Sequence, residues 1–139
     1  MRFAIIGLIV VAISVTIILF LNSKKNGENS DIAAGKKLYE SSCKSCHALF
    51  EDRVGPPMYG TLERVPNKNW IYEFTKNPLK AIATDSYAQC LKKQYPTIMT
   101  SFVLSLTNKD IDYIYEYVYN EARKRKDIWK NPKYFVRCK

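Results

Sequence analysis

The stretch Cys43-Lys44-Ser45-Cys46-His47 decides how the rest of this chain is read. Its spacing, C-x-x-C-H, is the one that covalent attachment of a c-type haem requires. Two thiols separated by two residues each bond one vinyl group of a single macrocycle, and the histidine that follows binds the iron. Other uses of the motif fit less well. A thioredoxin-like dithiol needs a βαβ pattern around it, and none is visible. A structural zinc site needs four ligands, usually a second C-x-x-C or a paired histidine, whereas His47 is the only histidine in the chain. The motif predicts one haem c, held through Cys43 and Cys46, with His47 as a metal ligand.

Toward the amino terminus, residues 3–21 carry no charge and are interrupted only by Gly7, Ser14 and Thr16. About nineteen such residues span the hydrocarbon core of a bilayer as one helix. A secretory signal is the rival, but its apolar region is usually about 7–15 residues and ends at a small-residue cleavage site, which Leu21-Asn22-Ser23-Lys24-Lys25 does not offer. The sequence therefore predicts a transmembrane anchor over 1–22, with a cleaved signal as the alternative. Flanking charge does not orient it, because Arg2 on one side faces Lys24 and Lys25 on the other. The haem motif orients it, since c-type haem is attached outside the cytoplasm. Residues 23–30, polar and without apolar period, predict a flexible linker with a mean reach of about 15 Å. A single-pass protein of the inner (cytoplasmic) membrane, with its haem domain on the periplasmic side, follows.

The remainder predicts an all-α domain over 31–120, with about four to five helices around the haem. Aromatic residues make up 13% of the chain and glycines number 5, which suits a compact helical domain. A helix over 31–41 starts from Asp31 and turns Ile32, Gly35, Leu38 and Tyr39 to one face. Val54-Gly55-Pro56-Pro57-Met58-Tyr59-Gly60 must be a stiff loop because of its paired prolines, and a backbone carbonyl there can orient His47 through Nδ1. Helices follow over 70–76 and 79–93. The last opens at Thr107, with Asp110 completing a near capping box and Ile111, Ile114, Tyr115 and Val118 forming its buried stripe.

From Ile32 to Tyr119 the sequence resembles a class I cytochrome c. Gly35-x-x-x-Tyr39-x-x-x-Cys43 resembles that family's N-terminal helix, whose glycine permits crossing against the C-terminal helix, where Ile114 and Tyr117 stand at the partner positions. Val54-Gly55-Pro56-Pro57-Met58 resembles its G-P-x-L loop, with Met58 in place of leucine, and implies Pro56 as the carbonyl partner of His47. Ile98-Met99-Thr100-Ser101-Phe102 resembles its M-P-x-F segment, with Thr100 in place of proline, and implies Met99 as second axial ligand. The residues themselves narrow the choice similarly. One histidine excludes bis-histidine ligation within one subunit. Met58, eleven residues beyond His47 on the loop beneath the haem, is poorly placed for the opposite face, whereas Met99 can wrap around to it. Met58, or an open sixth site, remains the alternative. A thioether ligand favours the ferrous iron and raises the potential. Trp70 and Arg64 are either propionate donors or, respectively, an ordinary core tryptophan and surface arginine.

Cys90 and Cys138 are left over. In an oxidising compartment they predict an intrachain disulfide, with an intermolecular thiol or two unpaired cysteines as alternatives. The extension over 121–139 is the most basic part of a chain of net charge +9. A periplasmic location removes nucleic acid as its partner. It serves either to dock on an acidic redox partner or anionic lipid, or is a solvated helix end. Together these features predict a membrane-tethered electron carrier rather than an enzyme, with acidic redox partner proteins and no small-molecule substrate. A haem subunit or sensor fixed in a larger complex, or a haem enzyme with an open distal site, is the alternative.

Overall fold

The computed structural model describes residues 2–125, 127–129, 131 and 138, with side chains described except at 2–5, 8–10 and 24–26. Among the described residues there are six helices and no strand: α1 (Arg2–Ser42), α2 (Thr61–Arg64), α3 (Lys68–Lys76), α4 (Pro78–Thr84), α5 (Ser86–Gln94) and α6 (Asn108–Arg123). By contacts the chain divides into two units, Met1–Asp31 and Ile32–Lys139.

In the first unit, the expected linker over 23–30 is replaced by helix, because α1 runs unbroken to Ser42. No proline interrupts the stretch. Extending an existing helix fixes one residue per hydrogen bond, which is far cheaper than nucleating one. Asp31 accordingly does not start a helix. Among the described residues no helix is long and apolar enough to cross a membrane. Part of the anchor expected over 1–22 lies outside the described residues and side chains.

The second unit is all-α and built around a core of Tyr39, Tyr59, Ile71, Ile111, Ile114, Tyr117, Val118 and Ala122. Crossing of α1 and α6 centres on Gly35, where an added Cβ would stand 1.8 Å from the Tyr113 carbonyl oxygen and 3.1 Å from the Ile114 nitrogen. Only a residue without a side chain allows this backbone approach. Tyr39 and Tyr117 pack one turn further along, their rings 5.7 Å apart. At the start of α6 the Thr107 hydroxyl accepts from the Asp110 backbone N–H, and the Asp110 carboxylate accepts from the Thr107 backbone N–H at 2.8 Å. The capping box is complete despite the shorter acid.

The helix expected over 79–93 is two helices. Asn77 caps α4, and Asp85, in extended backbone, ends it and caps α5 by accepting from the Ala88 N–H at 2.7 Å. A short acidic side chain that can satisfy the first turn of a new helix competes with continuation of the old one. In the described part of the basic extension Arg123, Lys124 and Arg125 are exposed at the end of α6, as a solvated helix end would be, but residues 127–129 are not part of that helix. Ile128 is buried in the core, Trp129 stacks on Tyr59 and Arg125 lies over the Phe50 ring. The Cys90–Cys138 disulfide is formed.

Candidate functional site

Helix α1 delivers Cys43 to the site, and the motif beyond it folds into a turn. The His47 N–H donates to the Cys43 carbonyl at 2.9 Å, and the Tyr39 hydroxyl donates to the His47 carbonyl at 2.9 Å. The stiff loop is laid against this turn by backbone bonds from Gly55 N–H to Cys46, Met58 N–H to Ala48 and Tyr59 N–H to Leu49, at 2.9–3.0 Å. Its result is the expected contact: His47 Nδ1 lies 2.8 Å from the Pro56 carbonyl oxygen. With a carbonyl as partner, Nδ1 carries the proton and Nε2 keeps its lone pair for a metal. Burial holds the His47 pKa below its usual value, the Pro56 bond opposing it, so the imidazole is neutral, as a metal ligand must be.

Gly55 makes this arrangement possible. A Cβ there would lie 2.3 Å from His47 Cε1 and 2.8 Å from Nδ1, so any other residue displaces the ring. Sequence reading takes Gly55 only as part of a loop pattern; a glycine directly before the proline whose carbonyl is used was the available signal. Arg64 corrects the surface reading. It is 8% exposed, and its guanidinium donates to the carbonyls of Tyr59 and Pro57, each at 2.8 Å, and to the Thr61 hydroxyl at 2.9 Å. It fastens the loop from behind.

Two cavities, with empty volumes of about 740 and 990 Å³, share Cys43, His47, Pro56, Phe74, Leu91, Met99 and Phe102 in their walls. Cys46 lines the second, and Met58, Arg64, Trp70 and Tyr115 line the first. All five site residues expected from the sequence therefore meet around one crevice. Met58 stands on the loop beside His47 and Pro56, whereas Met99 comes from the segment between α5 and α6. Burial and the neighbouring Cys46 push the Cys43 thiol up to about 11. A redox dithiol lowers its thiol pKa, so this environment speaks against a thioredoxin-like use. Trp70, stacked on Phe74 and edge-on to Tyr87, extends the apolar wall.

The sequence matches the family model described as cytochrome c over residues 32–121. The chain belongs to the cytochrome c family. Among solved structures it is similar to a cytochrome c from Rhodothermus marinus, with 26% identity, a TM-score of 0.59 and coverage of 70% of this chain and 81% of that one. It shares its fold with an engineered cytochrome c from Rhodothermus marinus, at 24% identity, a TM-score of 0.57 and coverage of 68% and 80%. No curated protein matches. The family binds haem c covalently and transfers electrons. The crevice fits that group: an apolar cavity, a half-buried imidazole whose Nδ1 is held by Pro56, which leaves Nε2 for a metal, and two thiols beside it.

Proposed function

We propose that this cytochrome carries single electrons between redox partner proteins, with one haem c attached at Cys43 and Cys46 and its iron held by His47 and Met99. The observation that carries this reading is the short His47 Nδ1–Pro56 carbonyl contact in a crevice whose shared wall includes Met99. When bound, the haem supplies the one-electron ferric/ferrous couple. The chain orients the His47 imidazole through Pro56, Gly55 and Tyr39, excludes water with Trp70, Phe74, Leu91 and Phe102, and presents Met99 as the soft second ligand. Arg64 and Trp70, both in the wall of the first cavity, would be the propionate donors in this reading. A carrier of this kind requires no base, nucleophile or substrate pocket.

Partners meet the rim of the second cavity. Val54 and Ile98 line it and are 47% and 46% exposed, with Lys92 beside them. An apolar rim with a cation on a chain of net charge +9 suits an acidic partner, whose approach it steers.

The domain is tethered to the membrane by 1–22 and works on the periplasmic side. Support comes from the uncharged run 3–21 and from the exposure, between 49% and 70%, of Val11, Ile13, Val15 and Ile17 to Leu21 on α1. So large an apolar surface needs a cover, and lipid is one.

The ferric spectrum of the purified protein tests the ligand set. A methionine–iron charge-transfer band is expected, and Met99→Ala should abolish it while Met58→Leu keeps it. High-spin features in the unaltered protein would reject Met99 and favour a sensor or an enzyme with an open site. For the tether, the full chain should resist carbonate extraction from membranes and a chain lacking 1–30 should not.

A further inference from the structure

The cytochrome c match ends at residue 121, yet the chain beyond it is attached to both sides of the haem crevice. At one end Ile128 is 4% exposed and Trp129 stacks on Tyr59, their rings 6.2 Å apart and 26° from parallel. Tyr59 is itself 1% exposed and belongs to the loop that carries Pro56. At the other end Cys138 is bonded to Cys90 on α5, with the Gln94 amide within reach of both sulfurs.

Helix α5 is lightly held for an element that forms a cofactor wall. Of its nine residues only Ala88 is buried. Leu91 faces both cavities and Tyr87 the first. Met99 follows five residues after its end, on a stretch with Thr100 where a proline would stiffen the chain. A nine-residue helix whose burial by the chain itself is confined to Ala88 depends on the cofactor for the rest of its hold, and a covalent link to a second anchor adds a hold that does not depend on it.

We infer that two attachments, Trp129 on Tyr59 at the His47 side and the Cys90–Cys138 bond at the α5 side, together brace the crevice, keep Met99 on the iron and make that ligation sensitive to thiol reductants. The inference rests on the Met99 reading above. Cys90, Cys138 and Trp129 are positioning residues, since none lines the crevice. Opening the brace takes two electrons and two protons. The S–S bond breaks, two thiols form, and a dithiol reductant is oxidised to its own disulfide.

The test uses the full-length haem protein in ferric form. Three samples are compared: the untreated protein, the same protein reduced and alkylated at the freed thiols after folding, and the Cys90→Ser/Cys138→Ser variant. The readouts are the methionine–iron band and the rate at which added imidazole replaces the ligand, which reports how often Met99 leaves. Opened or substituted protein should exchange about tenfold faster or more, a fraction of what closing a 48-residue loop contributes globally. Trp129→Ala should speed exchange in the disulfide-bonded protein and abolish most of the further effect of reduction. Exchange unchanged within twofold, with alkylation of both thiols verified by mass, overturns the brace while leaving Met99 ligation intact. Absence of the band from the untreated protein overturns both.

Discussion

Replacing Gly35 by alanine sets two effects of opposite sign against each other, and the structure says which is larger. On propensity alone the change stabilises α1 by about 1 kcal/mol, because glycine is a poor helix former. The new Cβ, however, would stand 1.8 Å from the Tyr113 carbonyl oxygen and 2.4 Å from its carbonyl carbon. Both are backbone atoms of α6, so no rotamer change relieves the contact. Reaching even 3.0 Å requires the two helices to separate by more than 1 Å locally. That loosens packing around Tyr39, Ile114 and Tyr117, which are all under 9% exposed. Forced overpacking costs typically about 1–3 kcal/mol, and more when backbone must move. Because the contact is backbone on backbone, the cost falls above that range, at about 3–4 kcal/mol, and after the propensity gain is subtracted the net expectation is a loss of about 2–3 kcal/mol. Denaturation of the haem protein by guanidinium should show it as a midpoint lowered by about 0.5–1 M at unchanged slope. A midpoint equal to or above that of the unaltered protein would refute the close-crossing argument, since propensity would then have decided the outcome.

Gly55→Ala should push the His47 ring off the Pro56 carbonyl. A less basic imidazole stabilises ferric iron less, so the reduction potential should rise, and an unchanged potential in voltammetry would count against the role given to Gly55. Arg64→Met takes the guanidinium donors from the Tyr59 and Pro57 carbonyls, leaving Pro57 only the longer Thr61 hydroxyl bond, and should cost about 2–3 kcal/mol in chemical denaturation, with Arg64→Lys recovering only part because an ammonium cannot span both oxygens as a planar fork does. Thr107→Ala removes the cap of α6 and should cost about 1 kcal/mol. The Asp110 carboxyl is held below its usual range by the Thr107 hydroxyl and backbone N–H. A carboxylate with a depressed folded pKa contributes stability above its unfolded pKa and loses it as pH falls through the folded value. The stability gap between the unaltered protein and Asp110→Asn should therefore be full at pH 7 and close below about pH 4, and a gap independent of pH would contradict the pairing.

What could be read in advance follows how local each signal is. The C-x-x-C-H turn, the Thr107–Asp110 box and the proline-stiffened loop are set by neighbours in sequence, and all three stand where the residues placed them. The one-face pattern of Ile32, Gly35, Leu38 and Tyr39 was equally legible, and so was the stop at Asn77-Pro78. The break at Asp85 was not, because Thr84-Asp85-Ser86 contains no obligatory helix breaker. Asp85 decides only by capping the next turn. Nor was the helix through 23–30, where weak formers sit inside a longer helix that carries them along. The burial of Arg64 was not legible, and the choice between propionate donor and surface residue stayed open, because its partners are backbone carbonyls of Pro57 and Tyr59, groups that carry no residue identity. Burial of Ile128 depends on contacts made far from it in sequence.

These particulars combine into an asymmetry between the two walls of the crevice. The His47 wall is fastened from several directions: by Tyr39 of α1, by the backbone bonds between 46–49 and 55–59, by Arg64 of α2 and by Trp129 beyond α6. The Met99 wall hangs on the Phe102 N–H to Thr75 carbonyl bond, the Ser101 hydroxyl on Lys76, the Tyr95–Asp52 contact and the disulfide. Changes to the first wall should therefore reach global stability, since they disturb the core that holds Tyr59 and Tyr39. Changes to the second should reach ligand exchange first, because α5 contributes little buried surface to that core. An electron carrier needs little geometric change at its iron between oxidation states, and a rigid imidazole side meets most of that need. The methionine side can then be the adjustable one, which is where this chain has placed its disulfide.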